Sequence, residues 1–453
     1  MGWHEGDSAV YVYDRYDVWK INLNKVFDLE NFSRGFGREY KISYRYVQTE
    51  DDKRFFSRND EILARSFEEK MKKPGLAYLQ TMGGYFAPFN EGISVDVYPS
   101  GTVRKAKNSH ELIVTKESFI HSPDLFIYKD FVPGHGLLHD PRLKFSYHVG
   151  CNKLSSINSQ QKDYNWGTAE LYKWKAFNGK MSEGVLYKPE DFDPAKKYPL
   201  ILYFYETHSN DLHNYIPPTP TGSRLNISFF VSRGYVVFSP DIRYTIGHPA
   251  KSCYDYVVSA AQDLAKQRWI DAKNIGIQGQ SWGGIQVAQL ITMTNMFKAA
   301  WAGAPVANMT SAYGGIRWES GVNRQFQYEK TQSRIGATLW EKPNLYIENS
   351  PLFNLPKVKT PLVIMHNDAD GAVPWYQGIE LFTAMRRLNK QVWMLNYNGE
   401  AHNLRERKNQ KDISIREQQY FDWLLKGEKP PKWITEGVPA VKKGKDWGLE
   451  LVN

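Results

Sequence analysis

The sequence predicts a doubly wound α/β domain over residues 168–453, preceded by an all-β segment over residues 1–167. Three observations carry this. From about residue 198 onward, short apolar runs alternate with helical patterns. The cores of those runs are almost wholly apolar, as strands of a parallel sheet covered on both faces must be. At residues 274–290, NIGIQGQSWGGIQVAQL, an apolar strand runs through a glycine-rich turn straight into a helix.

The first 167 residues read as hairpins. Alternating apolar and polar positions at 9–14, 17–23, 93–100, 111–118 and 124–130 are bounded by Asp, Gly or Ser, the pattern of antiparallel strands. DVWKI and DLFIYK end two of these units alike, which suggests a repeat. Propeller blades are four-stranded units of about 40 to 50 residues. The segment therefore holds about three or four, and is expected to be the end of a propeller whose earlier blades are missing. Residues 59–75, NDEILARSFEEKMKKPG, read as an inserted helix stopped by Pro74 and Gly75.

The second segment opens with a hairpin turning at Asn178-Gly179 and a proline-bounded linker. Strands follow at PLILYFYE, YVVFSPD, NIGIQG, AAWAGAP, PLVIMHN and VWMLNYN. Helices are expected near 227–233, at 252–267, after Ser281, at 377–388, and at 412–426, where Gly427 closes the last.

Composition removes several function classes. No apolar run reaches the ~18 residues needed to span a bilayer, and the N-terminus lacks a signal-peptide pattern, so any export signal lies outside this sequence. Cys151 and Cys253 are the two cysteines; they exclude a disulfide framework and a cysteine-rich metal site, and are expected as unpaired thiols. The formal charge of +9 is spread along the chain, and no nucleic-acid-binding motif accompanies its short basic clusters. No cofactor or metal is expected.

The strand-turn-helix at 274–290 carries the chemistry. Gly279 and Gly283 leave room for the strained backbone that lifts the Ser281 hydroxyl off the sheet edge, and Gly284 lets the helix pack closely. The Trp282 backbone N–H points where an oxyanion would form. A nucleophilic serine needs a base and a group that orients it, both in loops after strand ends. PLVIMHNDADGAVP offers Asp368 and Asp370, and VWMLNYNGEAHNL offers His402; His208 and His366 are rivals for the base. The order Ser, Asp, His is that of α/β hydrolases. Tyr205, at the end of PLILYFYE, is either a second oxyanion donor or a packed aromatic.

GQSWGG, HNDADGAVP followed by Gln377, GEAHN, PLILYFYE and SPDIRYTIG together resemble the prolyl oligopeptidase family of serine peptidases, nearest its dipeptidyl-peptidase IV branch. The resemblance covers residues 168–426. It implies an α/β hydrolase capped by a β-propeller, with Ser281 as nucleophile, His402 as base, Asp370 as orienting acid, and Tyr205 with Trp282 as the oxyanion hole. It implies a peptide substrate, an exported or surface-anchored location, and, at Tyr313 and Trp318, candidates for the substrate pocket. The chain departs from that branch in three places. The paired glutamates that hold a substrate amino terminus are not placed in this sequence, Ala372 stands where the branch carries asparagine, and AYGGIRWE does not align cleanly with its proline-pocket tyrosines. An esterase using the same triad, and a weakly catalytic binding protein pairing through open strand edges, for instance as a homodimer, are the competing expectations.

Overall fold

A computed structural model describes residues 1–26, 28–50, 53–57, 60–80, 86–88, 97–129 and 150–452. The chain divides into two compact units, Met1–Asp163 with Asn210–Tyr215, and Tyr164–Ser209 with Ile216–Asn453.

The first unit is all β. Gly2–His4, Ala9–Tyr13, Val18–Asn22 and Leu29–Asn31 form an antiparallel meander extended by Phe55–Phe56. Ile42–Tyr46, Glu61–Glu68, Lys73–Gln80 and Phe86–Pro88 make a second sheet; Tyr98–Lys105, Leu112–Ser118, His121–Lys129 and Gly150–Lys153 make a third. The DVWKI and DLFIYK repeats fall in the third strands of the first and third sheets. Of the strand expected at 93–100, residues 93–96 lie outside the described residues.

The helix expected at 59–75 is instead a hairpin, Glu61–Glu68 paired antiparallel to Lys73–Gln80. Packing on both faces decides against helical propensity. Ile62, Ala64 and Ala77 pack with Tyr11, Val18, Phe32 and Phe56, while Leu63, Leu76 and Tyr78 pack with Val103, Leu112, Val114 and Tyr128. Successive residues point to opposite faces only in a strand, and here each face meets its own core. The turn needs Lys72 at φ 58°, and Pro74 sits within the strand. One middle sheet between two others, with a core on each side, is the arrangement of consecutive propeller blades.

The second unit is an α/β hydrolase. We label its strands β1 (Gly167–Lys175), β2 (Met181–Pro189), β3 (Tyr198–Tyr203), β4 (Val236–Pro240), β5 (Ile270–Gln280), β6 (Ala299–Gly303), β7 (Leu362–Met365) and β8 (Val392–Leu395). They form an 8-stranded sheet in the order β1-β2-β4-β3-β5-β6-β7-β8, antiparallel at β1 and β2 and parallel from β4 through β8. Gly179, at φ 81°, makes the β1–β2 turn. The helices that pack on this sheet include α1 (Ile227–Ser232), α2 (Pro249–Cys253, continuing through a π-helical turn at Tyr254–Val258 into Ser259–Leu264), α3 (Trp282–Met293), α4 (Tyr376–Arg387) and α5 (Arg407–Phe421), and shorter ones lie at Met309–Tyr313, Gln325–Glu329, Pro343–Glu348 and Lys432–Thr435. The core runs between sheet and helices through Leu200, Leu202, Ile275, Ile277, Val287, Leu290, Ile364 and Leu381. Cys253 is buried in α2, and neither cysteine forms a disulfide. Among the described residues no helix is long and apolar enough to cross a membrane.

The packing of α5 on β5 holds one polar residue of consequence. Glu417 is buried, and that burial pushes its carboxyl up to about 8, the Gln278 side chain working against it. Gln278 Nε2 donates to the Ser223 carbonyl at 3.0 Å, and its Oε1 has no hydrogen-bond partner among the described residues. The folded value stands above the unfolded one of about 4.3. The folded state therefore binds the extra proton, and stability is fully present below that value and lost as pH rises through about 8. Denaturation midpoints should fall between pH 5 and 8, by up to ~1.4 kcal/mol per pH unit. Glu417→Gln should flatten that slope; an unchanged slope would assign it to other groups.

Candidate active site

Strand β5 ends at Gln280, α3 begins at Trp282, and Ser281 between them sits at φ 60° and ψ −112°. A non-glycine residue in such a conformation costs about 1 to 3 kcal/mol and persists only where its surroundings enforce it. Here the Ser281 N–H donates to the Gly303 carbonyl at 2.7 Å, and its own carbonyl accepts from Ile285 N–H at 3.1 Å. The glycines are required by close backbone approach. A Cβ on Gly283 would lie 2.4 Å from the Phe204 carbonyl oxygen, and one on Gly284 would lie 2.3 Å from that of Gly303. Both obstacles are backbone, so Gly284→Ala must push α3 away from β6. It should destabilise by about 1 to 3 kcal/mol and displace Ser281, read as a lower unfolding midpoint together with lost nucleophilic reactivity. A variant of unchanged stability would contradict this packing.

The loops after β7 and β8 meet beside this turn. His402 Nδ1 lies 2.7 Å from Asp370 Oδ2. The other carboxylate oxygen, Oδ1, accepts from the amides of Ala372 and Val373, each at 2.8 Å. Burial would raise the Asp370 carboxyl, but hydrogen bonds from His366 and His402 outweigh it and hold it well below the usual carboxylate range. Asp370 is thus an anion on a buried loop, with the Nδ1–H tautomer of His402 facing it. Asp368 points elsewhere: it accepts from Asn398 Nδ2 at 2.6 Å and Gly399 N–H at 2.7 Å, and so pins the β8 turn. His366 is fully buried, its Nε2 3.0 Å from the Val373 carbonyl and 3.4 Å from Asp370 Oδ2. It backs the carboxylate from inside. The backbone amide of His208 binds Asp241.

The His402 loop is clasped from several sides. Gln280 Nε2 donates to the His402 carbonyl at 2.9 Å, which brings His402 within a side chain's length of Ser281. Asn367 Nδ2 donates to the Ala401 carbonyl at 2.7 Å. Glu400, buried, accepts from the amides of Arg405 and Glu406 and from Asn409 Nδ2. Burial would raise its carboxyl, and these donors bring it below its ordinary value.

Tyr205, in the loop after β3, has its hydroxyl against the Ser281 side chain. That hydroxyl accepts from Gln332 Nε2 at 2.7 Å, which leaves its own proton to donate. Burial raises the Tyr205 hydroxyl above its ordinary value, so it keeps that proton at neutral pH. Its backbone is fixed as well. Tyr244 donates to the Tyr205 carbonyl at 3.1 Å while accepting from the Trp282 indole at 2.9 Å and from Gln286. The Trp282 amide lies in the first turn of α3, where no intrahelical acceptor exists. The two donors therefore flank Ser281.

The two pocket candidates fare differently. Tyr313 is buried, packed edge-on against Tyr346 and Trp340, and its hydroxyl is spent on Glu329 at 2.5 Å. Trp318 is exposed, on a hairpin of Ile316–Arg317 with Val322–Asn323. Glu319 of that hairpin donates its amide to the Gly371 carbonyl at 3.1 Å, next to Asp370. Gln332 and this hairpin are components that no motif in the sequence announced, and Tyr244 and Glu400 lie within quoted motifs without having been given a role. Among the described residues no group of three or more His, Cys, Asp or Glu is placed to hold a metal ion.

Comparison with known proteins gives a family match and a fold likeness. Residues 221–428 match the model of the prolyl oligopeptidase family. Dipeptidyl-peptidase 5 of Porphyromonas endodontalis is 27% identical over 267 residues, covering 54% of this chain and 35% of its own length. Dipeptidyl peptidase 8 of Mus musculus is 27% identical over 249 residues, covering 52% of this chain and 26% of its own. The alignment thus reaches about a third or less of these relatives. Among solved structures, a Mycobacterium tuberculosis puromycin-hydrolyzing peptidase superposes with TM-score 0.66 at 14% identity, covering 95% of this chain and 62% of that one. The Pyrococcus horikoshii acylaminoacyl peptidase gives TM-score 0.59 at 16% identity, covering 96% and 71%. At such identities the structures speak for the fold, while the segment that carries Ser281, Asp370 and His402, residues 221–428, is the part of this chain that matches the prolyl oligopeptidase family.

Proposed function

We propose that this chain is a serine peptidase that hydrolyses short peptides through an acyl-enzyme. His402 Nε2 takes the Ser281 proton as Oγ attacks the scissile carbonyl. Asp370 holds the imidazole in the tautomer that leaves Nε2 free to accept, and stabilises the imidazolium that forms. The Tyr205 hydroxyl and the Trp282 amide receive the oxyanion. His402 then passes the proton to the leaving amine, and a water activated by the same imidazole releases the acyl group.

The observation that carries this reading is the 2.7 Å contact of His402 Nδ1 with a buried, doubly amide-bound Asp370, set beside a serine held at positive φ. An accidental His–Asp contact would not coincide with a strained serine on the neighbouring strand. Turnover of a peptide anilide, abolished in Ser281→Ala, together with a pre-steady-state burst of released phenol from an activated aryl ester, is the expected result. Anilide turnover that survives in Ser281→Ala would overturn it.

A further inference from the structure

The acids around Ser281 are all engaged. Glu206 pairs with Arg334 at 3.0 Å, Glu329 accepts from Tyr313, and Glu319 lies 3.9 Å from Arg405. Two arginines on the hairpin and its exit are left out of this pairing. Arg324 is 1% exposed, yet neither it nor Arg317 forms an ion pair with any described carboxylate.

One of the five N–H donors of Arg324 is used, by the Ala372 carbonyl, two residues from Asp370. Its Nε is buried with no acceptor, and the guanidinium lies 5.5 Å from the centre of the Tyr328 ring, whose hydroxyl is likewise buried and unbonded. Tyr328 belongs to the apolar cluster of Trp282, Val306 and Val373, against which Tyr205 also packs. That cluster adjoins Ser281 through Trp282 and Asp370 through Val373. Burial raises the Tyr205 and Tyr328 hydroxyls, and the positive charge of Arg317 acts on both in the opposite sense. Arg317 stands on the hairpin whose Glu319 amide binds the Gly371 carbonyl.

A buried guanidinium without a counter-ion costs several kcal/mol, and a neutral donor would have served the Ala372 carbonyl as well. The natural complement of such a group is a carboxylate. Resting on the peptidase reading above, we infer that Arg324, with Arg317 beside it, receives the acidic side chain of the substrate residue acylated onto Ser281. The preferred residue at the cleavage site is then Glu or Asp.

The test uses the whole chain and coumarin amides of Ala-Glu, Ala-Asp, Ala-Gln, Ala-Asn, Ala-Ala and Ala-Pro, each with a free and an acetylated amino terminus. Glu over Gln, or Asp over Asn, should be favoured about tenfold or more in kcat/KM, since a site built for one charge rejects its neutral isostere. Arg324→Gln should erase that ratio by slowing the acidic substrate alone, and Arg324→Lys should retain part of it. Arg317→Gln, at a half-buried position, should reduce the ratio and guards against a folding defect at Arg324. Equal rates for Glu and Gln, or a preference for Ala or Pro, in enzyme that still labels at Ser281 would overturn the assignment. Loss of Ser281 labelling itself would instead overturn the peptidase reading.

Discussion

Asp370→Asn is expected to lower kcat for a peptide anilide by about 10⁴ with little change in KM, in a protein of near-native fold. The carboxylate uses one oxygen for His402 Nδ1 at 2.7 Å and the other for the amides of Ala372 and Val373. An asparagine must turn its NH₂ toward one side or the other. Facing the two amides, it opposes donor to donor on a buried loop. Facing His402, it donates to Nδ1, which forces the proton onto Nε2, and Nε2 can then no longer accept from Ser281. The second arrangement leaves the backbone intact and removes the base. His366 Nε2, bound to the Val373 carbonyl at 3.0 Å, lies 3.4 Å from the same oxygen and loses the facing carboxylate charge as well. Steady-state kinetics with circular dichroism checks this; a loss below tenfold would mean that Asp370 does not orient the base.

Tyr205→Phe should cost about 10² to 10³ in kcat, the loss expected for one oxyanion donor. Gln332 already donates to the Tyr205 oxygen, and Tyr244 fixes the Tyr205 carbonyl. The hydroxyl proton is thereby aimed before substrate arrives, which is the condition under which such a donor is worth most. Because the donor acts on the transition state, KM should hold while kcat falls. Tyr244→Phe removes the anchor of the Tyr205 backbone and the acceptor of the Trp282 indole and Gln286, but no oxyanion donor, and should cost less. Equal losses in the two variants would mean that Tyr205 acts through packing and not through its proton.

How much of this was legible in the sequence depends on whether the cause was local. The turn around Ser281 was readable because strand, glycines and helix are contiguous, and the steric demand on Gly283 and Gly284 comes from the sheet that the same stretch enters. Asp370 and His402 were readable from their places after strand ends; the choice between Asp368 and Asp370 needed the family resemblance, and the structure separates them by what each carboxylate binds. The hairpin Glu61–Glu68 with Lys73–Gln80 was misread because its charged residues favour a helix, while the two cores that demand a strand come from residues 11–56 and 103–128. Tyr313, a pocket candidate from the resemblance, is buried with its hydroxyl on Glu329, a partner 16 residues away that no local pattern indicates. Gln332 and Tyr244 converge on Tyr205 from sequence distances of 127 and 39 residues, and no local pattern encodes that. The same is true of Arg324, whose significance lies in the carboxylate it lacks.

The most direct test of the central claim is labelling of the purified chain with a fluorophosphonate probe, with the modified residue mapped by mass spectrometry and Ser281→Ala as control. The account predicts stoichiometric modification of Ser281 alone, strongly slowed in Asp370→Asn and absent in the control. A folded protein that leaves Ser281 unmodified, or one labelled equally well at other serines, would contradict it.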